Sequence, residues 1–197
     1  MSQNLFRDPS FHDFLEHADR DVAAKTRQQG CQSCGGVLHS GNYFRTPRGG
    51  PWRKAVRLSF CCAREGCRKR STPPSLRFLG RRVYLGVVVV LMSALRHGAN
   101  RSRLKQLRDF LGISERTLER WRRWWLRDFA ESDFWKLLKA KFAVPVEQGC
   151  LPASVLERFE GDERSRLVAT LRSLAPITGG QGLADHLAWW SLEIRKR

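Results

Sequence analysis

The longest apolar run in the chain is Val83 to Leu95, closed on either side by Arg82 and Arg96. Four consecutive valines favour a strand by propensity. The run is long for a strand, however, and Tyr84, Val87, Val88, Leu91 and Leu95 recur at helical spacing. It predicts a buried helix that stops at His97-Gly98. Beyond it, Leu104, Leu107, Phe110 and Leu111 line one face of a short helix. Gly112 ends that helix, Ile113 plugs the turn, and Ser114 caps a second helix with Thr117 at its third position. Leu118, Trp121 and Trp125 then share a face, which predicts packing against the first of the pair.

Other periodicities flank this block. Near the start, Ser10 followed by Asp13 reads as a helix cap, and Phe11, Phe14, Leu15, Ala18 and Val22 form the apolar side of a short amphipathic helix. From 43 to 60 the period drops to two. "NYFRTP" and "AVRLSF" read as strands and "RGGP" at 48–51 as the turn between them. After residue 131, "SDFWKLLKAKF", "LPASVLERFEG" and "DERSRLVATLRSLAP" read as helices. A last helix carries Leu187, Trp190 and Ile194 on one face. The expected fold is mainly α with a small β unit. Its segments are an N-terminal helix at 1–30, the β unit with a basic strap at 31–82, the helix pair at 83–130 and a helical region at 131–197.

Charge divides the chain along the same lines. The whole carries a net +17, yet residues 1–30 sum to −1 and residues 128–197 to zero. The excess is +11 over 31–82 and +7 over 83–127. A surface tuned only for solubility mixes both signs throughout, so a polyanionic partner is expected. No segment approaches the roughly 20 apolar residues of a membrane span, and "MSQNLFRDPS" has no signal-peptide pattern. A cytoplasmic, nucleoid-associated bacterial protein with reduced cysteines is expected.

The cysteines then acquire a meaning. Cys31 and Cys34 are separated by two residues, and "CCAREGC" brings Cys62 and Cys67 at hairpin distance. Two such pairs predict one structural Zn²⁺ held by Cys31, Cys34, Cys62 and Cys67, a zinc ribbon. Alternation puts Val56, Leu58, Phe60 and Cys62 on one face and Arg57, Ser59 and Cys61 on the other, which selects Cys62 over Cys61. A bulge would reverse that choice. His39 is a substitute ligand of lower rank, and Cys150 reads as a small buried hydrophobe. Four thiolates leave no open metal position for catalysis.

The basic residues fall into two groups. Arg68, Lys69, Arg70, Arg77, Arg81 and Arg82 surround Pro73-Pro74 in a strap that is either a phosphate contact or a basic linker. Arg116, Arg120 and Arg123 form a ridge on the second helix of the pair, with Thr117 beside them. Helix, glycine-containing turn and basic helix is a helix-turn-helix pattern, in which such arginines read guanine edges of duplex DNA.

Cysteine pairs followed by this helix pair resemble, in the order of parts over residues 31–127, the N-terminal half of insertion-sequence transposases. The resemblance implies binding to double-stranded DNA, as an accessory protein or regulator of a mobile element. It does not extend to the catalytic RNase H-like domain of those enzymes. Asp128, Asp133, Glu147 and Asp162 read as caps and surface acids, and no catalytic residue is assigned. The competing readings are an RNA-binding zinc-ribbon protein and a nuclease or transposase with an unrecognised site. Residues 131–197 are a helical support, an extension of the helix pair's core, or a surface for a homodimer or protein partner.

Overall fold

The computed structural model describes residues 4–47, 54–79 and 84–178. It is mostly helical, with two small antiparallel sheets. The turn expected at 48–51, Arg81 and Arg82, and the last helix with Leu187, Trp190 and Ile194 lie outside the described residues.

A short helix α1 (Asn4–Arg7) leads into α2 (Pro9–Gln29). The cap of α2 is Asp8, not Ser10: its carboxylate accepts from the Ser10 N–H at 2.9 Å. Pro9 explains the shift, because its fixed φ and missing N–H suit the first helical position. The helix is also longer than expected, and its inner stripe of Phe11, Leu15, Asp19, Val22 and Thr26 includes a buried acid. Phe14 sits at the margin of the stripe, with the Arg164 guanidinium 5.7 Å from its ring.

Strands β1 (Leu38–Ser40), β4 (Phe60–Cys62) and β5 (Arg70–Ser71) form a three-stranded sheet with β4 in the centre. Strands β2 (Tyr43–Arg45) and β3 (Ala55–Arg57) form a separate ribbon. The strand expected from Ala55 to Phe60 is therefore interrupted at Leu58-Ser59. Arg57 and Ser59 turn inward, while Val56 and Leu58 are only half-buried. Hydrogen bonds account for the reversal. The Ser59 N–H donates to Asn42 Oδ1 at 3.0 Å, and the Arg57 guanidinium donates to the carbonyl of Pro73.

The apolar run forms α3 (Gly86–Leu95), and all its residues are buried. Around it pack α4 (Arg101–Leu111) and α5 (Glu115–Trp124). Gly112, at φ 62°, ends α4 in the left-handed region that glycine tolerates best. Ser114 accepts from the Thr117 N–H at 3.2 Å and caps α5 as expected. Leu107, Leu111, Leu118, Trp121 and Trp125 are buried, whereas Phe110 is part-exposed with the Arg7 guanidinium 4.3 Å from its ring. A π-helical turn, Trp125–Phe129, continues α5 and seats Trp125 and Phe129 4.8 Å apart.

Helices α6 (Asp133–Lys139), α7 (Ala153–Leu156) and α8 (Glu163–Leu174) complete the packing. Trp135, Leu138, Leu151, Val155, Leu167 and Leu171 join the same hydrophobic cluster as α3 to α5. The described part of the C-terminal region thus extends that core. A second, smaller cluster joins Ala23, Leu38 and Phe60 to Cys31 and Cys62. Helix α2 serves both, with Phe11 and Leu15 in the large cluster and Ala23 in the small one.

Candidate metal centre and basic surface

Two tight turns build the centre. In the first, Cys34 N–H and Gly35 N–H both donate to the Cys31 carbonyl, at 3.2 and 2.6 Å. In the second, Cys67 N–H and Arg68 N–H both donate to the Arg64 carbonyl, at 3.2 and 3.3 Å. The residue after each last cysteine is left-handed, Gly35 at φ 68° and Arg68 at φ 44°. The sheet supplies the rest. Cys62 ends β4 opposite Leu38, and its N–H donates to the Lys69 carbonyl at 3.0 Å. The Arg64 guanidinium ties the turns together by donating to the Cys34 carbonyl at 3.1 Å.

The sulphurs of Cys31, Cys34, Cys62 and Cys67 lie within 4.8 Å of one another. Cys31 and Cys67 are 3.8 Å apart, and Cys34 and Cys62 are 3.5 Å apart. A tetrahedral thiolate site with metal–sulphur bonds near 2.3 Å requires sulphurs about 3.8 Å apart, so the set fits a single Zn²⁺-sized ion. Cys31 and Cys62 are buried and the other two half-buried, so the donor set is largely shielded from water. The Ser33 N–H directed at Cys31 pulls that thiol down to about 7, against the opposing effect of burial. Burial pushes the Cys62 thiol up to about 12, with the Arg64 N–H acting in the other direction. A divalent cation held by these four sulphurs would favour the thiolate at each of them.

Cys61 stays outside the cluster. It pairs with His39 and Arg70 across the sheet, on the face opposite Phe60 and Cys62. Strand alternation therefore selects the right cysteine, because β4 keeps its pleat over Phe60–Cys62 even though the pattern breaks just before it. His39 is exposed and belongs to no ligand group. Cys150 is half-buried, and burial raises its thiol.

The basic residues separate by environment. Arg68, Lys69 and Arg70 are exposed beside the second turn. Arg70 also donates to the Gly41 carbonyl and to Ser59 Oγ, at 3.1 and 3.2 Å. Arg77 is different: its burial fits neither expectation for the strap, phosphate contact or basic linker. Residues 73–79 are buried, and the Arg77 guanidinium binds Asp19 and Glu16, each at 2.9 Å, and the Val56 carbonyl at 2.8 Å. Asp19 further accepts from Ser75 Oγ and the Leu76 N–H, both at 2.7 Å. Sequence reasoning missed this network. Its one signal is an acid at the next helical position of the stripe Phe11, Leu15.

On α5, Arg116, Arg120 and Arg123 are all exposed. Arg120 donates to Tyr84 Oη at 2.7 Å, so its guanidinium is partly committed to the protein. The Thr117 hydroxyl lies 3.1 Å from the capping Ser114 hydroxyl, and Glu119 pairs with Arg96. Asp133 pairs with Lys136 at 2.9 Å, and Asp162 caps α8 by accepting from the Ser165 N–H at 2.8 Å. Among the described residues the acids form no metal-ligating group; the four cysteines do. No described helix is long and apolar enough to cross a membrane. Comparison of the chain with protein-family models, with curated proteins and with solved structures gives no match, so no family is assigned to this four-cysteine unit on its helical scaffold.

Proposed function

We propose that the protein is a zinc-stapled, double-stranded DNA-binding protein. The zinc unit and α5 face the same polyanion. The observation that carries the reading is the exposure of Arg116 and Arg123 on a helix entered through a serine cap and a glycine turn. They are seven residues apart and share one side of α5, which suits insertion of that side into a major groove. The exposed Arg68, Lys69 and Arg70 lie in the segment of greatest charge excess and supply phosphate contacts. The order of parts favours an accessory or regulatory protein of a mobile element. The C-terminal helices support α3 to α5, and any homodimer or protein partner docks on their outer side.

The test is selection of bound fragments from genomic DNA, followed by titration of the recovered site at several salt concentrations. Element ends or a promoter among the fragments would separate the transposition role from the regulatory one. Arg123→Ala should weaken the selected site by about 1–3 kcal/mol while changing non-specific affinity much less. Binding should fall steeply with salt. A flat salt response, or a preference for structured RNA over every duplex, would defeat the reading.

A further inference from the structure

Phe44 lies in the middle of β2 and is 73% exposed. Its neighbours on the strand are engaged elsewhere. Tyr43 has the Arg45 and Arg70 guanidinia at 4.8 and 5.5 Å from its ring. Across the ribbon, Tyr43 faces the buried Arg57, and Arg45 faces Ala55, which packs on the large core. Phe44 faces Val56 and, by the pleat, points to the other side. One face of the β2–β3 ribbon is thus an arginine–tyrosine cluster turned toward the protein. The other presents a bare aromatic ring above a half-buried valine.

We infer that this outer face is a stacking site for an unpaired base of DNA. The inference rests on the DNA-binding reading above and adds a second mode of contact to it. A lone exposed apolar side chain is ordinary on a protein surface. This one stands in the most cationic segment of the chain, residues 31–82, where the single acid is Glu65 and, among the described residues, Lys54, Arg64, Arg68, Lys69 and Arg70 remain exposed. An apolar protein partner would have to bring a strongly acidic rim to that segment. A nucleic acid with an unpaired base brings a π face and phosphates together, which is how non-sequence-specific single-strand sites are built. The helix α5, by contrast, offers arginines suited to paired base edges. The two surfaces therefore assign duplex to the helical unit and an adjacent unpaired stretch to the ribbon, as at a frayed or overhanging end.

The zinc-loaded full chain would be titrated with a blunt duplex and with the same duplex carrying a short single-stranded DNA overhang that contains 2-aminopurine. The overhang should tighten binding roughly 5- to 150-fold, the range of one stacked base, and the 2-aminopurine fluorescence should be quenched. Phe44→Ala should abolish both effects and leave blunt-duplex affinity and zinc content unchanged. Phe44→Trp should retain them, and Phe44→Leu should not. Salt-dependent duplex binding with no overhang preference in the wild-type chain would overturn this inference alone. Loss of all duplex binding would overturn the DNA-binding reading itself. Equal performance of Leu and Trp, or tighter binding of an RNA overhang than a DNA one, would overturn the assignment to stacked DNA bases.

Discussion

Gly35 and Arg68 hold the same place in their two turns, immediately after a cysteine whose N–H closes the loop. Gly35 is comfortable there, whereas a side chain bearing Cβ pays about 1–2 kcal/mol for left-handed backbone. Glycine in turn loses more freedom on folding, by about 0.5–1 kcal/mol. Arg68→Gly should therefore be neutral to stabilising in the zinc-loaded chain, by up to about 1 kcal/mol in a thermal or urea unfolding experiment. The same variant should bind DNA more weakly and with a shallower salt slope, by about one phosphate contact. Stability and affinity moving in opposite directions would mark Arg68 as a residue kept for binding. A clear loss of stability would show instead that the arginine braces the turn.

At the scale of elements, the segment 73–79 joins the ribbon to the helices by polar contacts rather than by apolar packing alone. Arg77 connects α2, through Asp19 and Glu16, to β3, through the Val56 carbonyl. Breaking such a buried pair from one side leaves an uncompensated charge, and costs about 3–5 kcal/mol. Arg77→Ala should lower the urea midpoint accordingly. Asp19→Asn in the same chain should recover part of the loss, because the stranded charge is then gone, the Leu76 N–H keeps the amide oxygen as acceptor and the Ser75 hydroxyl, which faced the other carboxylate oxygen, can accept from the amide N–H. The affinity for DNA of the fraction that remains folded should match that of the wild-type chain, since Arg77 is buried. A selective loss of affinity without loss of stability would return Arg77 to the binding surface.

For the whole molecule, the two apolar clusters are unequal. The small one offers Ala23, Leu38, Phe60 and buried cysteine sulphurs, too little to hold a β unit without a staple. The large one contains Trp121, Trp125 and Trp135 and needs no metal. Chelation should collapse the β1–β4–β5 unit while helical circular dichroism is largely retained and the fluorescence of these buried tryptophans changes little. Cys62→Ser should reproduce that state, and Cys61→Ser should keep one zinc per chain by metal analysis. Cooperative loss of helix on chelation would show that α2, which serves both clusters, makes the molecule a single unit.

Much of this organisation is written in short-range pattern. The four-cysteine set, the choice of Cys62, the helix at 86–95, the serine cap of α5 and the glycine stop of α4 all follow from spacing over a few residues. Local rules of φ, pleat and helical period set them before the chain folds. Other features depend on partners distant in sequence. Ser59 and Arg57 turn inward because Asn42 and Pro73 receive their hydrogen bonds, so the strand is interrupted where alternation predicts a continuous run. Arg77 looks like one more cation in a basic strap until Asp19, fifty-eight positions earlier, meets it in the interior. Arg120 sits on the predicted ridge and stays exposed, yet its guanidinium donates to Tyr84, a partner thirty-six positions earlier. Sequence by itself determined which four cysteines cluster, the charge and most of the described helices, because these rest on residue type and on fixed local spacing. Only the tertiary structure decided which cations remain on the surface, because burial and pairing of a charge are set by whatever the fold brings against it.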